Sequence, residues 1–259
     1  MSILITEKDM HWFENKVFER YIKGLTAQNR QNFLFLKVTA DKEELLQSTF
    51  DIAKHLEKDW QTDMQGIIQF YSEMSIIFGF DFKDDPQYAW VKEILEQHTD
   101  LPVIDKFSAV YDQAADFLKA THGEKNEHLL HDLEAMTGFF EQRKDQPLTY
   151  GNMEHFIERM LPKRVAAMKQ PSKIIHALAE KYRYTGYTEK EVVLTIIVTL
   201  LSGINFENSP YYKQLNESVL KVSGENSSRE EFLMEFLKQW TAIIQENKGI
   251  FNTKDFLWV

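Results

Sequence analysis

Residues 72–95 read SEMSIIFGFDFKDDPQYAWVKEIL, and residues 196–219 read IIVTLLSGINFENSPYYKQLNESV. A shift of 124 residues lays Gly79, Phe82, Pro86 and Tyr88 on Gly203, Phe206, Pro210 and Tyr212, with Ile76 and Ile77 falling on Leu200 and Leu201. Each stretch describes the same local events: an apolar helix, a glycine stop, an aromatic turn and a helix opened by proline, whose fixed φ suits a first helical turn. The pair predicts an all-α, multi-helix bundle made of two related helical modules. Their expected bounds are residues 1–121 and 150–259, with 122–149 as a connecting helix and loop.

Helical spacing extends in both directions from these two stretches. Upstream, Thr6 and Asp9 cap a helix with Phe13, Val17 and Tyr21 on its apolar face, ending near Gly24. Asp41 and Glu44 open another through Leu45, Phe50, Ile52 and Leu56, and a third runs from Thr62 or Asp63 to Gly79. Further helices are expected near 86–98, 102–121, 124–144, 150–161, 172–183, 189–202, 210–222 and 228–247. Thr188 and Glu191 form a capping box. Asn32 to Val38 alone has a strand-like composition.

The chain has 259 residues, 43% of them hydrophobic and 13% aromatic, enough to build a sizeable core without a staple. It has no cysteine, which excludes thiolate catalysis, cysteine-ligated zinc and iron–sulfur chemistry and points to a reducing compartment, the cytoplasm. Met1 to Asp9 lacks the basic and apolar regions of a secretory signal. The apolar run Val192 to Leu201 is about half the length of a bilayer span and reads as a buried helix.

Charge is unevenly placed. Of a formal net charge of −10, residues 41–145 carry 23 acidic against 10 basic side chains, a local −13. Such a surface repels a phosphate backbone, which argues against nucleic acid, and it steers a cationic protein toward itself. Glu57 and Asp59 are candidate partner-binding residues within it. From Glu158 to Arg183 the sign reverses through Arg159, Lys163, Arg164, Lys169, Lys173, Lys181 and Arg183, read as helix-surface charge because no phosphate cradle accompanies it.

The first of the two stretches resembles helical proteins encoded beside type VI secretion effectors, whose pattern is Gly-x-x-Phe-x-x-Asp-Pro-x-x-Pro-Trp-x-x-x-Ile-Leu. Gly79, Phe82, Asp85, Pro86, Trp90, Ile94 and Leu95 match it, while Ala89 stands where the pattern has proline. The resemblance spreads loosely over residues 1–121 and implies an effector and immunity setting without a catalytic residue. Physically the motif reads as scaffold: Asp85 caps, Gly79 turns, and Phe82 with Trp90 pack beneath the turn.

Two clusters invite a chemical reading. His122, His128, His131 and Asp132, with Glu127 and Glu134 nearby, have metal-like density, but no complementary ligand pair accompanies them and a solvated linker helix accounts for them. Asp112 and Asp116 share a helix face, and Asp81, Asp84 and Asp85 crowd before a proline; solvation and capping account for these. The segment around Tyr184, Thr185 and Gly186 has a helix-turn-helix look, but its second helix is too apolar to face a phosphate-lined groove. The expected function is therefore a non-catalytic, cofactor-free protein interaction, that of an immunity protein binding a basic effector encoded nearby. The alternatives are an effector-loading accessory of the same system, and a metal-dependent helical hydrolase or lyase using His128 and His131.

Overall fold

The computed structural model describes residues 7–97, 101–142, 147–224, 227–247 and 249–250; Thr6, the side chains of Asp9 and Phe13, and residues 98 and 143–144, named above, lie outside the described parts. Among the described residues there are thirteen α-helices and no strand. The first half holds α1 (Glu7–Asn32), α2 (Leu36–Thr39), α3 (Lys42–Trp60), α4 (Gln65–Phe78), α5 (Ala89–Gln97) and α6 (Val103–His122). Then come α7 (Glu127–Gln142), α8 (Met153–Met160) and α9 (Pro162–Ala167). The second half holds α10 (Pro171–Arg183), α11 (Glu189–Ser202), α12 (Lys213–Ser223) and α13 (Arg229–Glu246).

Two helices form the centre. From Phe70 to Phe78 in α4, and from Val192 to Ser202 in α11, every residue is buried. A helix apolar on all sides has to be surrounded, and the amphipathic helices do the surrounding: α3 lies on α4, and α10 and α13 lie on α11. The N-terminus of α11 is fixed by the Thr188 and Glu191 capping box, and that of α13 by an equivalent box from Ser228 and Glu231.

The 124-residue offset relates whole elements as well as letters. Displaced by it, α4 falls on α11 end for end, and the 3-10 turn Phe82–Asp84 falls on Phe206–Asn208. The flanking helices correspond at an offset of 126: the buried residues Thr49, Ile52, Ala53 and Leu56 of α3 match Ile175, Leu178, Ala179 and Tyr182 of α10. Likewise Phe107, Val110, Ala114 and Leu118 of α6 match Leu233, Phe236, Trp240 and Ile244 of α13. The recurring unit is thus four helices, α3–α6 and α10–α13, with α7–α9 between the copies.

The copies meet through equivalent positions. Gly79 (φ 101°, ψ 152°) and Gly203 (φ 87°, ψ 162°) each end a central helix in a conformation that glycine adopts and other residues resist, and their backbones touch. A Cβ on Gly203 would stand 2.3 Å from the Phe78 carbonyl oxygen and 2.7 Å from the Gly79 Cα. Beside this crossing the Asn205 amide donates to Asp81 at 2.9 Å, a bond between positions that the offset makes equivalent. Gln87 Nε2 reaches the Thr199 carbonyl at 3.3 Å, and the counterparts Tyr211 and Ser75 join their hydroxyls at 2.6 Å. Such reciprocal contacts are those of a two-fold interface, here within one chain.

Several local expectations are corrected. Gly24 does not stop α1, which continues to Asn32, because a glycine with open space around it costs a helix only about 1 kcal/mol. The buried face of α1 is Ile22, Leu25, Thr26 and Asn29, while Val17 is 55% exposed. The strand-like 32–38 is the end of α1 and a tight bend into α2. There Phe35 is buried edge-on to Trp240 (5.2 Å) and against Tyr212 (6.4 Å), so its aromatic content serves packing on the second unit. Pro86 begins a 3-10 turn, Pro86–Tyr88, before α5 proper. Nor is α7 a solvated connector: Leu129, Leu133, Met136 and Phe140 are buried as it packs between α6 and α13.

Candidate functional site

The turn after α4 positions Asp85 inside the protein. Its backbone is extended, as an N-cap requires, and its side chain accepts from Gln87 N at 2.9 Å and from Gln87 Nε2 at 3.1 Å. The third donor is the backbone N–H of Ile204 at 2.9 Å, from the other copy. Asp85 is 1% exposed. Its counterpart Ser209 repeats only the local bond, to Tyr211 N at 3.3 Å.

Facing this carboxylate is a charge that the sequence pattern assigns to the surface. Arg164 of α9 is 1% exposed, with its guanidinium 5.9 Å from the Phe117 ring and acting electrostatically on Tyr88, Asp85, His122, Asp132 and Tyr212. Leu161 and Val165 beside it are buried, and this one-turn alternation of apolar residues around Arg164 was the available signal. Asp132 is 2% exposed; burial holds its carboxyl above the ordinary range against the pull of Arg164. The Thr121 hydroxyl donates to the Phe117 carbonyl at 2.8 Å and so accepts from His122 Nδ1 at 2.9 Å, which leaves Nε2 unprotonated. Burial first, and then Arg164, holds the His122 pKa well below its usual value. The centre therefore places one buried cation, from α9, within electrostatic reach of two buried carboxyl groups, one from α7 and one from the turn after α4.

Burial also raises the Asp85 carboxyl to about 6, against its hydrogen bonds to Gln87 and Ile204 and the field of Arg164. A folded-state pKa above the unfolded value of about 3.9 means that the folded chain binds the extra proton between these values. That contribution to stability is fully present below about pH 3.9 and is lost as pH rises through about 6. The stability of the native protein minus that of Asp85→Asn is expected to grow by about 2–3 kcal/mol between pH 7 and pH 4. Urea unfolding of both proteins across that range measures it, and a flat difference contradicts the assignment.

The other motif residues lie in the same core. Phe82 is 1% and Trp90 5% exposed, and Phe78 touches both, at 6.3 and 6.5 Å between ring centroids. Gly79 makes the crossing, and Pro86 opens the turn that Asp85 caps.

The candidate metal residues are dispersed. His122 and Asp132 point inward, His131 is 74% exposed with its Nδ1 3.7 Å from Asp132 Oδ1, and Glu134 accepts from Gln245 Nε2 at 2.7 Å. No group of three or more metal-ligating side chains comes together among the described residues. Asp112 and Asp116 are exposed on α6; Asp81 turns to Asn205, Asp84 to solvent and Asp85 to the core, so the two acidic clusters share no focus.

Glu57 and Asp59 are exposed near the end of α3. Asp59 contacts His55 Nδ1 at 3.0 Å, and His55 Nε2 accepts from Lys83 Nζ at 3.0 Å. Burial first, and then Lys83, lowers the His55 pKa, which disfavours a charged imidazole beside Asp59. Of the other carboxylates between 41 and 145, only Glu73, Asp85 and Asp132 are buried among the described residues. No described helix is long and apolar enough to cross a membrane. Comparison with known families, curated proteins and solved structures returns no match to the chain.

Proposed function

We propose that this chain is a non-catalytic protein-interaction protein that binds a basic partner encoded beside it, in the manner of an immunity protein neutralising an antibacterial effector. The observation that supports the reading is a division of labour. The residues of the Gly79–Leu95 motif that carry the resemblance sit mainly in the core, while the acidic excess of 41–145 is displayed outward, with fifteen carboxylates exposed among the described residues. A surface charged in this way raises the encounter rate with a cation and does little for the stability of the fold.

Reversing two of these charges tests it. Glu57→Lys with Asp59→Lys is expected to lower the association rate with the neighbouring basic gene product about fivefold, with unfolding changed by no more than about 1 kcal/mol. Stopped-flow mixing and urea titration measure the two. Coexpression then separates the roles: an immunity protein restores growth to cells making the effector, whereas a loading accessory leaves toxicity intact and is needed for export.

A further inference from the structure

Resting on that protein-interaction reading, one concave part of the surface offers apolar contact as well as charge. Between the C-terminal half of α7 and the N-terminal half of α13 runs a groove of 630 Å³, closed at one side by the end of α12. The two helices are antiparallel there: Thr137 meets Thr241 at 3.0 Å, and Glu134 meets Gln245 at 2.7 Å. Val222, 65% exposed, and the half-buried Met234 supply the apolar wall, over buried Phe140 and Leu237.

The rim is acidic. Glu141 stands on α7, with Glu230, Glu231 and Glu235 along α13. Lys190 bonds Glu230 at 2.5 Å and Lys238 offsets one more charge, leaving two carboxylates in excess around an apolar wall. Glu231 and Glu235 are oriented by neutral groups, the Ser228 backbone N–H at 2.8 Å and the Gln239 amide at 2.7 Å, and these leave their charge in place. A volume of this size takes a few side chains. We infer that the groove receives a short segment of the protein partner in which an apolar residue is flanked by lysine or arginine. The apolar residue lies against Val222 and Met234 while the cations reach Glu141 and Glu235, a smaller form of the amphipathic helix-in-groove mode.

The test uses the full chain and two fluorescein-labelled peptides of equal charge, KLKKLK and KQKKQK, followed by fluorescence anisotropy in 50 mM salt. Expected are saturable binding of the leucine peptide, binding of the glutamine peptide at least tenfold weaker, and at least a tenfold loss with Glu141→Lys/Glu235→Lys. Glu57→Lys/Asp59→Lys, an equal change of charge elsewhere, should cost less than threefold. If the groove double variant fails to fold, Val222→Gln, which removes the apolar contact at an exposed position without changing charge, carries the same expectation. Equal loss from both charge pairs, or equal affinity for the two peptides, overturns the groove and leaves the acidic-surface reading intact. Absence of binding by the leucine peptide also overturns the groove, whereas the reading above falls only with the neighbouring gene product. Sedimentation showing a dimer that the groove variants dissociate assigns the groove to a second copy of this chain and equally overturns the inference.

Discussion

Gly203→Ala is expected to destabilise the fold by about 4–5 kcal/mol, among the largest effects of any single substitution in this chain. Two costs combine. The backbone at φ 87°, ψ 162° is a region closed to residues with a Cβ, worth about 1–3 kcal/mol. The added carbon also lands 2.3 Å from the Phe78 carbonyl oxygen, and that neighbour is backbone at the buried end of α4, which cannot rotate away as a side chain would. Gly224 separates the two costs. It holds nearly the same conformation, φ 92° and ψ 151°, at the end of α12, with nothing within 4 Å of the point where a Cβ would stand. Gly224→Ala should therefore cost only the conformational share, about 1–3 kcal/mol. Equal losses in the two variants, measured by chemical unfolding, would remove the close approach of Gly203 to Gly79 and Phe78 from the account.

Asp85→Ala is expected to cost about 3–5 kcal/mol at neutral pH, the range for deleting one partner of a buried charge network. Three donors are left facing an apolar methyl: Gln87 N, Gln87 Nε2 and Ile204 N. Buried Arg164 keeps Asp132 but loses the field of its other carboxyl group. Asp84→Ala, one position earlier and exposed, should change stability by about 0.5 kcal/mol or less. Because the Ile204 N–H belongs to the second unit, the Asp85 variant should also weaken the coupling between units, visible as faster amide exchange at Ile204. Unchanged exchange there, with the fold intact, would show that Asp85 serves its own turn alone.

Much of the helical layout was legible in the sequence because helix starts and stops are local. Asp41, Thr188 and Ser228 cap through hydrogen bonds reaching three residues at most, and Gly79 and Gly203 end helices by their own conformational freedom. The offset of 124 was equally visible, but the contact it produces was not. That Gly79 and Gly203 touch each other follows from how the ends of two apolar helices are brought together, and spacing along the chain carries no such information. The same limit explains Arg164. Its neighbours Lys163 and Lys169 are exposed, and a run of basic letters looks uniform, yet one turn of α9 faces the core. What makes the buried arginine tolerable is Asp85 and Asp132, distant in sequence and brought near by tertiary packing. His122 groups with His128 and His131 only by proximity in the chain. The end of α6 buries the first, and the start of α7 turns the last to solvent, so adjacency in sequence becomes separation in space.

The acidic surface was legible as composition, while its partition between outside and core had to come from the fold. Glu73, Asp85 and Asp132 count toward the charge excess of the sequence but face inward, and steering depends on the carboxylates that remain outside. The central functional claim is that these exposed carboxylates draw in a basic protein partner. It is tested most directly by the rate of association with the product of the adjacent gene, followed by stopped-flow between about 50 and 500 mM salt, over which the Debye length shrinks several-fold. The account predicts a fall in the association rate of about tenfold or more, with the dissociation rate changing by about twofold or less. A rate independent of salt, or no association in 50 mM salt with both proteins folded, contradicts it.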